Sequence, residues 1–321
     1  MYRKYYGLTR NPFGVSPDPF FLYPTSQHRE ALAILNYGVL GQKGFVVVTG
    51  EVGTGKTLMV RCLLEALNRH RVAFAFIYNP RLPVLDFLAH VLVDLGLPSP
   101  PSSKSEMLFR LNSYLMARSR HGSTTALVVD EAQLLSWDLL EEIRLLTNLE
   151  TSQHKLLQIV LVGQPELDRK LDSEDLRQLK QRIGLRCRLE PLGLKELRGY
   201  IHSRLELAGA NSHGATIFSE DAIDAVHELS LGIPRLANIL CENSLISGYG
   251  RQVKQITSEI VREAAADLRL NPAVVSPTPY SHDLEARKKI REELLRIVEE
   301  LDGSPEKPTD ETKFESGVKT S

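Results

Sequence analysis

The sequence of 321 residues is short of cysteine, of long apolar runs and of net charge, and each shortage closes a class of function. Its three cysteines, Cys62, Cys187 and Cys241, stand far apart, with neither CxxC nor metal-ligand spacing. Scattered thiols in odd number predict reduced, buried side chains in a cytoplasmic protein and exclude a disulfide framework. The nine histidines form no HExxH-type pair, so no transition-metal site is expected. No stretch approaches the roughly 18 apolar residues of a membrane-spanning helix. The opening MYRKYYGLTRNPFG has no apolar core of the kind that marks a signal peptide. With 39 basic against 40 acidic side chains the net charge is -1. The strong basic excess of a dedicated nucleic-acid binder is missing, although a local basic patch remains compatible. What is present is ordinary globular composition, 42% hydrophobic and 25% charged, on a chain long enough for more than one core.

Along the chain, residues 1–25 are rich in aromatics, Pro and Gly, and read as an irregular lead-in that packs its rings onto something else. A helix is expected over Ser26–Leu40, with Ser26 as N-cap and Ala31, Leu32, Leu35 and Val39 as its apolar stripe. Then short apolar runs alternate with helical stretches. Strands are expected at 44–50, 72–79, 124–132, 156–163 and 184–192, and helices at 56–69, 84–95, 104–120 and 137–150. Nearly continuous apolar strands between helices predict an α/β fold with a five-stranded parallel sheet covered on both faces. From Gly193 the pattern is purely helical, with four helices at 194–208, 219–229, 234–248 and 257–268. The expected organisation is therefore a lead-in (1–25), an α/β domain (26–192), a small all-α lid (193–270) and a linker and tail (271–321) holding one amphipathic helix at 283–301. The closing polar segment reads as disordered, and there is no internal repeat.

The strongest motif is GEVGTGKT, Gly50 to Thr57, placed between an apolar strand and a helix. Gly-x4-Gly-Lys-Thr is a complete P-loop. Its glycines let backbone N–H groups turn toward phosphate oxygens, and the helix N-terminus adds positive field. Gly50, Gly53, Thr54, Gly55, Lys56, Thr57 and Leu58 are the candidate phosphate-binding residues, with Lys56 on the β- and γ-phosphates and the Thr57 hydroxyl on Mg²⁺. The second motif is Asp130-Glu131 at the tip of an apolar strand, where paired carboxylates are costly unless they meet a cation or do chemistry. Asp130 is expected to hold Mg²⁺ through water and Glu131 to act as general base on the attacking water. The pair thus points to ATP hydrolysis. The third is Gln164, at the tip of the fourth strand and beside the P-loop, poised to sense the γ-phosphate or orient the water.

A P-loop, an Asp-Glu strand tip, a polar strand tip and a helical lid together resemble the AAA+ ATPases. The stretches YYGLTRNPFGVSPDPFFLYPTSQHREALAILNYGV (5–39), DEAQLLSWDLLEEIRLLTNLET (130–151), VLVGQPEL (160–167), LKQRIGLRCRLEPL (179–192) and GIPRLANILCENSL (232–245) resemble the ExeA family, also called general secretion pathway protein A. The resemblance covers roughly residues 1–270. It implies that Arg182 reaches the γ-phosphate of a neighbouring subunit, with Arg177 a rival for that position, while Arg186 and Arg188 point out of the fifth strand. It implies that Arg235, in the Gly-Ile-Pro-Arg start of a lid helix, folds over the nucleotide, and that Asn79 restrains Glu131. Phe21, Tyr23 and His28 would line the adenine pocket or serve as ordinary core. Longer ExeA proteins continue into a membrane helix and a peptidoglycan-binding domain, which are not expected here.

The resemblance implies a cytoplasmic, homo-oligomeric, Mg²⁺-dependent ATPase, peripheral at the inner membrane, that energises a secretion, pilus or exopolysaccharide system through a membrane-associated partner. The helix at 283–301 would dock on such a partner or simply be solvated. Two other functions stay open: a DNA-linked switch of the transposition or origin-recognition type, and a nucleotide-dependent scaffold with negligible turnover.

Overall fold

Five short runs rich in Val, Ile and Leu lie side by side in the computed structural model of the chain, which describes residues 1–97, 103–151, 154–210 and 217–270. They are β1 (Phe45–Gly50), β2 (Ala73–Ile77), β3 (Thr125–Val129), β4 (Gln158–Gly163) and β5 (Leu185–Leu189). All pairings are parallel, in the order β2-β3-β4-β1-β5. Every residue of β1, β3 and β4 is buried, as central strands covered on both faces require. The edge strand β2 mixes buried and half-buried positions, and β5 also exposes Arg186. Because β4 lies between β1 and β3, the C-terminal tips of these three strands are neighbours. Whatever chemistry their tips carry is brought to one edge.

The helices are α1 (Tyr2–Tyr5), α2 (Ser26–Leu40), α3 (Lys56–Arg69), α4 (Val84–Asp94), α5 (Lys104–Arg120), α6 (Trp137–Leu146), α7 (Pro165–Leu171), α8 (Arg177–Lys180), α9 (Leu194–Leu207), α10 (Glu220–Ser230), α11 (Pro234–Gly250) and α12 (Ser258–Asp267). Several details differ from the sequence expectation, among them shorter strands and three at helix ends and turns. The N-cap of α2 is Thr25, whose hydroxyl accepts from the His28 N–H at 3.2 Å, rather than Ser26. The α6 helix stops at Leu146, where the Thr147 hydroxyl turns back to donate to the Arg144 carbonyl at 2.6 Å. The stretch after Gln164, for which no element was expected, is the helix α7, with Pro165 in its first turn. The expected helix at 283–301 lies outside the described residues.

Two hydrophobic cores form. One joins the sheet to α4, α5 and α6 through residues such as Phe45, Leu127, Leu161, Phe87, Leu111 and Leu139. The other joins α9 to α12, and into it the lead-in inserts Tyr6, Leu8, Phe13 and Phe21. Phe13 is fully buried edge-on to Phe218, with ring centroids 6.0 Å apart. Burying such a ring is worth about 2–3 kcal/mol. Polar ties fix the same segment. The Tyr2 hydroxyl donates to Glu242 at 2.8 Å, the Tyr6 hydroxyl to the Val253 carbonyl at 3.0 Å, and Arg204 Nη1 to the Pro12 carbonyl at 2.6 Å. The lead-in is therefore structurally a part of the helical core. Cys187 and Cys241 are buried and Cys62 is half-buried, all three as free thiols. Among the described residues no helix is long and apolar enough to cross a membrane.

Candidate nucleotide site

Between the end of β1 and the start of α3 the chain must reverse in a few residues, and glycine makes that possible. Gly53 and Gly55 have φ of +86° and +102°, values that L side chains avoid. A Cβ on Gly53 would also stand 2.8 Å from Cβ of Arg235 and 3.0 Å from Cγ2 of Ile233. Thr54 closes the loop, its hydroxyl donating to the Glu51 carbonyl at 2.8 Å. Lys56 is buried, and Nζ donates to the carbonyls of Gly50 and Glu51, both at 2.8 Å. Burial pushes its pKa below the ordinary lysine value, opposed by the charges of Glu131 and Asp130. The next residues of α3, Thr57 and Leu58, line the same cleft.

Asp130 follows β3 and is buried, its N–H donating to the Ile77 carbonyl at 2.9 Å. Burial raises its carboxyl pKa, while a bond from the Glu131 N–H to Oδ1 (2.9 Å) and one from the Thr57 hydroxyl to Oδ2 (3.2 Å) favour the ionised form. The Thr57 hydroxyl and the Asp130 carboxylate thus meet at the mouth of the P-loop, an all-oxygen pair. This donor set fits Mg²⁺, which takes hard oxygen ligands from few protein groups.

Glu131 sits in the left-handed region, with φ 51° and ψ 36°, at a cost of about 1 kcal/mol for a residue with a side chain. Its carboxylate reaches the cleft, where Oε2 accepts from Gln133 Nε2 at 2.6 Å and from Gln164 Nε2 at 3.3 Å. Gln133 Oε1 in turn accepts from the Gln164 N–H at 3.1 Å. Gln164 is therefore at the cleft as expected, bonded to the carboxylate of Glu131. Gln133 was not foreseen; its only mark in the sequence is its place two residues after Glu131. Asn79 does not restrain Glu131: it is exposed and its side-chain oxygen accepts from the Arg81 N–H at 3.4 Å. The partners of Glu131 come from the turn after β3 and the tip of β4 instead.

The helices after β5 supply the opposite wall. Arg235, in the first turn of α11, lines the cleft, and its N–H donates to the Gly53 carbonyl at 3.2 Å. Pro234 of the same Gly-Ile-Pro-Arg motif lines this wall too, with Tyr200, Arg204 and Asn238, which the sequence did not mark. The Tyr200 hydroxyl donates to Asn238 Oδ1 at 2.9 Å, and the buried Arg204 guanidinium stacks on Phe21 and Tyr200 at 5.0 and 4.9 Å from the ring centroids. On amphipathic helices such residues look like any inner face. The lead-in adds residues 14–18 together with Phe21 and Tyr23, and the first turn of α2 adds His28, so these three do line the cleft, Phe21 also belonging to the helical core. The His28 ring is buried with Nδ1 2.7 Å from the Thr25 hydroxyl, and burial pushes its pKa below the ordinary value.

Arg182 stands elsewhere. Val46 pairs with Leu185, so Arg182 precedes β5 at the edge where β1 begins. It lines a separate groove with Phe45, Lys155 and Gln178. A strand length of about 17 Å lies between that edge and the P-loop edge. Arg177 is exposed on α8. Arg186 pairs with Asp168 (3.5 Å) and Asp172 (3.4 Å), and Arg188 with Glu190 (3.0 Å).

Residues 39–171 match the protein family described as "AAA domain". General secretion pathway protein A of Aeromonas hydrophila is 43% identical over 269 residues, covering 84% of this chain and 48% of that protein. Cdc6p of Pyrobaculum aerophilum superposes with a TM-score of 0.60 at 20% identity, over 81% of this chain and 71% of its own. The ORC2 protein of Aeropyrum pernix, solved as ADPNP-ADP complexes, gives 0.55 at 15% identity over 76% and 68%. These two share the fold. Sheet order, P-loop and strand-tip carboxylates define an AAA+ P-loop protein. Within that class the chain belongs to the ExeA-like family of general secretion pathway protein A, and it spans about half the length of that relative.

Proposed function

We propose that the chain binds and hydrolyses ATP with Mg²⁺, and that this cycle energises or regulates assembly of a cell-envelope secretion, pilus or exopolysaccharide system. The observation that carries the hydrolytic reading is the convergence, on one edge of the sheet, of the P-loop, the Thr57–Asp130 pair and a Glu131 carboxylate held by two amides. The loop N–H groups and the α3 N-terminus receive the phosphates, and the Lys56 ammonium neutralises the β- and γ-oxygens. Thr57 and Asp130 hold Mg²⁺, which when bound spreads the developing charge of the transferred phosphoryl group. The Glu131 carboxylate takes the proton of the attacking water, and Gln164 orients both. Arg235 closes the lid on the bound nucleotide, and the wall of Phe21, Tyr23 and His28 receives the adenine.

Arg182 supplies the missing cation in trans. It stands at the far edge of its own sheet, so it serves the cleft of a neighbouring copy, and the working form is a homo-oligomer. The envelope reading rests on the 43% identity to a protein named for general secretion. It places the work in the cytoplasm, peripheral to the inner membrane, with a membrane-associated partner. The test is ATPase rate per subunit against protein concentration, for wild type and Arg182→Ala, with and without anionic vesicles or DNA. A specific rate that rises with concentration, and is flat and about 10³-fold lower in the variant, is expected. A rate indifferent to both concentration and Arg182 would refute catalysis in trans. Stimulation by DNA instead of vesicles would transfer the protein to the DNA-linked class.

A further inference from the structure

We propose that Gln133 is the residue that positions the general base, a role that rests on the hydrolytic reading above. Gln133 uses its side-chain amide in two directions. Nε2 donates to Glu131 Oε2 at 2.6 Å, the shorter of the two amide bonds on that oxygen. Oε1 accepts from the Gln164 N–H at 3.1 Å, so the same side chain also ties the tip of β4 to the turn after β3. The Gln133 backbone is itself anchored, since Lys170 Nζ donates to the carbonyls of Gln133 (3.3 Å) and Leu135 (2.5 Å). The packing is tight enough that a Cβ on Gly163 would come within 3.0 Å of Gln133 Oε1.

A carboxylate on a flexible stem samples several rotamers, and a base must be held within a fraction of an ångström of its proton. Gln133 fixes one carboxylate oxygen from behind, which turns the second oxygen over to the attacking water. It does so from the residue's own turn, whereas a restraint from β2 would need Asn79, which points elsewhere. Both amides on Glu131 come from elements that flank the phosphate end. The orientation of the base is thereby coupled to the position of Gln164, and hence to whatever Gln164 contacts.

Gln133→Glu separates the two bonds. The new side chain has the same shape and can still accept from the Gln164 N–H, but it cannot donate to Glu131 when ionised. The expected result is a kcat lowered about 10- to 100-fold with ATP affinity within twofold of wild type. It also brings two carboxylates together, so Tm falls by about 2–4 °C. The swap Glu131→Gln/Gln133→Glu restores donor and acceptor with reversed polarity, and is expected to recover that Tm while turnover stays absent. A Gln133→Glu variant with wild-type kcat, or a Tm loss that the swap leaves in place, would overturn the proposal. Should wild type itself not hydrolyse ATP, the hydrolytic reading falls, and the Tm pattern of the swap still decides whether Gln133 holds Glu131.

Discussion

The two halves of the cleft are assembled by opposite means. The phosphate half comes from strand tips and the few residues after them: Gly50 to Leu58, Asp130 to Gln133 and Gln164. Its geometry is backbone geometry, set by two left-handed glycines, a left-handed glutamate and the order of the strands. The half proposed for the adenine is brought together from residues 14–28 and from residues 200–238 of the helices after β5, with the lead-in seated in the helical core. In the proposed function, rigid backbone is set against the carboxylates and phosphates, where small errors of placement are most costly. In the same proposal, long-range packing is left to enclose the adenine, where shape and apolar contact suffice.

The contrast can be broken at either half, and the two breaks should look different. Glu131→Gln keeps the shape of the phosphate half and removes the base. Turnover is expected to fall about 10²- to 10³-fold with ATP affinity retained, measured by steady-state ATPase and by titration with labelled nucleotide. Undiminished turnover would remove Glu131 from the chemistry.

Phe13→Ala acts on the other half. A fully buried ring lost from the helical core should cost about 3 kcal/mol, seen as a lower unfolding midpoint together with weakened ATP binding. The exposed Phe20, seven residues on in the same lead-in and 47% accessible, is the control and should cost under about 1 kcal/mol on truncation to Ala. Equal effects at the two positions would mean that the lead-in is not part of the core.

The smallest expected effect sharpens the comparison through pH. Burial lowers the His28 pKa in the folded state, so between that value and the unfolded value of about 6.5 the unfolded chain binds the extra proton. Its stabilising share is present above about pH 6.5 and is lost as the pH falls toward the folded value. Between pH 7.5 and 5.5 the wild-type Tm should fall further than that of His28→Gln. Parallel curves would show that His28 stays equally protonated in both states.

The same division governs how much the sequence revealed. Motif residues of the phosphate half were legible because their chemistry is local: spacing alone placed Lys56, Thr57, Asp130 and Glu131 at one strand edge. The five strands and the long helices were legible from periodicity, and α2, α3 and α5 begin and end where the pattern indicated. Short elements were not. The α7 helix, with a proline in its first turn, is too brief for a 3.6-residue period to repeat. Gln133 was hidden because its meaning depends on a left-handed backbone at Glu131, which no propensity announces. Tyr200 and Arg204 became site residues through contact with a lead-in nearly two hundred positions away, and Asn238 through its bond to Tyr200, none of which an apolar stripe can encode.

The seating of the lead-in also sets a timetable for synthesis. Its first residues leave the ribosome early, but Tyr2 finds Glu242 and Tyr6 finds the Val253 carbonyl across gaps of 240 and 247 positions. At about 5–20 residues per second the nascent aromatics wait roughly 10–50 s for their partners. The sheet can close meanwhile around its own core, since its strands end at Leu189. The aromatic segment therefore waits unburied, and a chaperone that holds it, or the pace of translation between the fifth strand and Val253, would decide the yield of protein with a finished cleft.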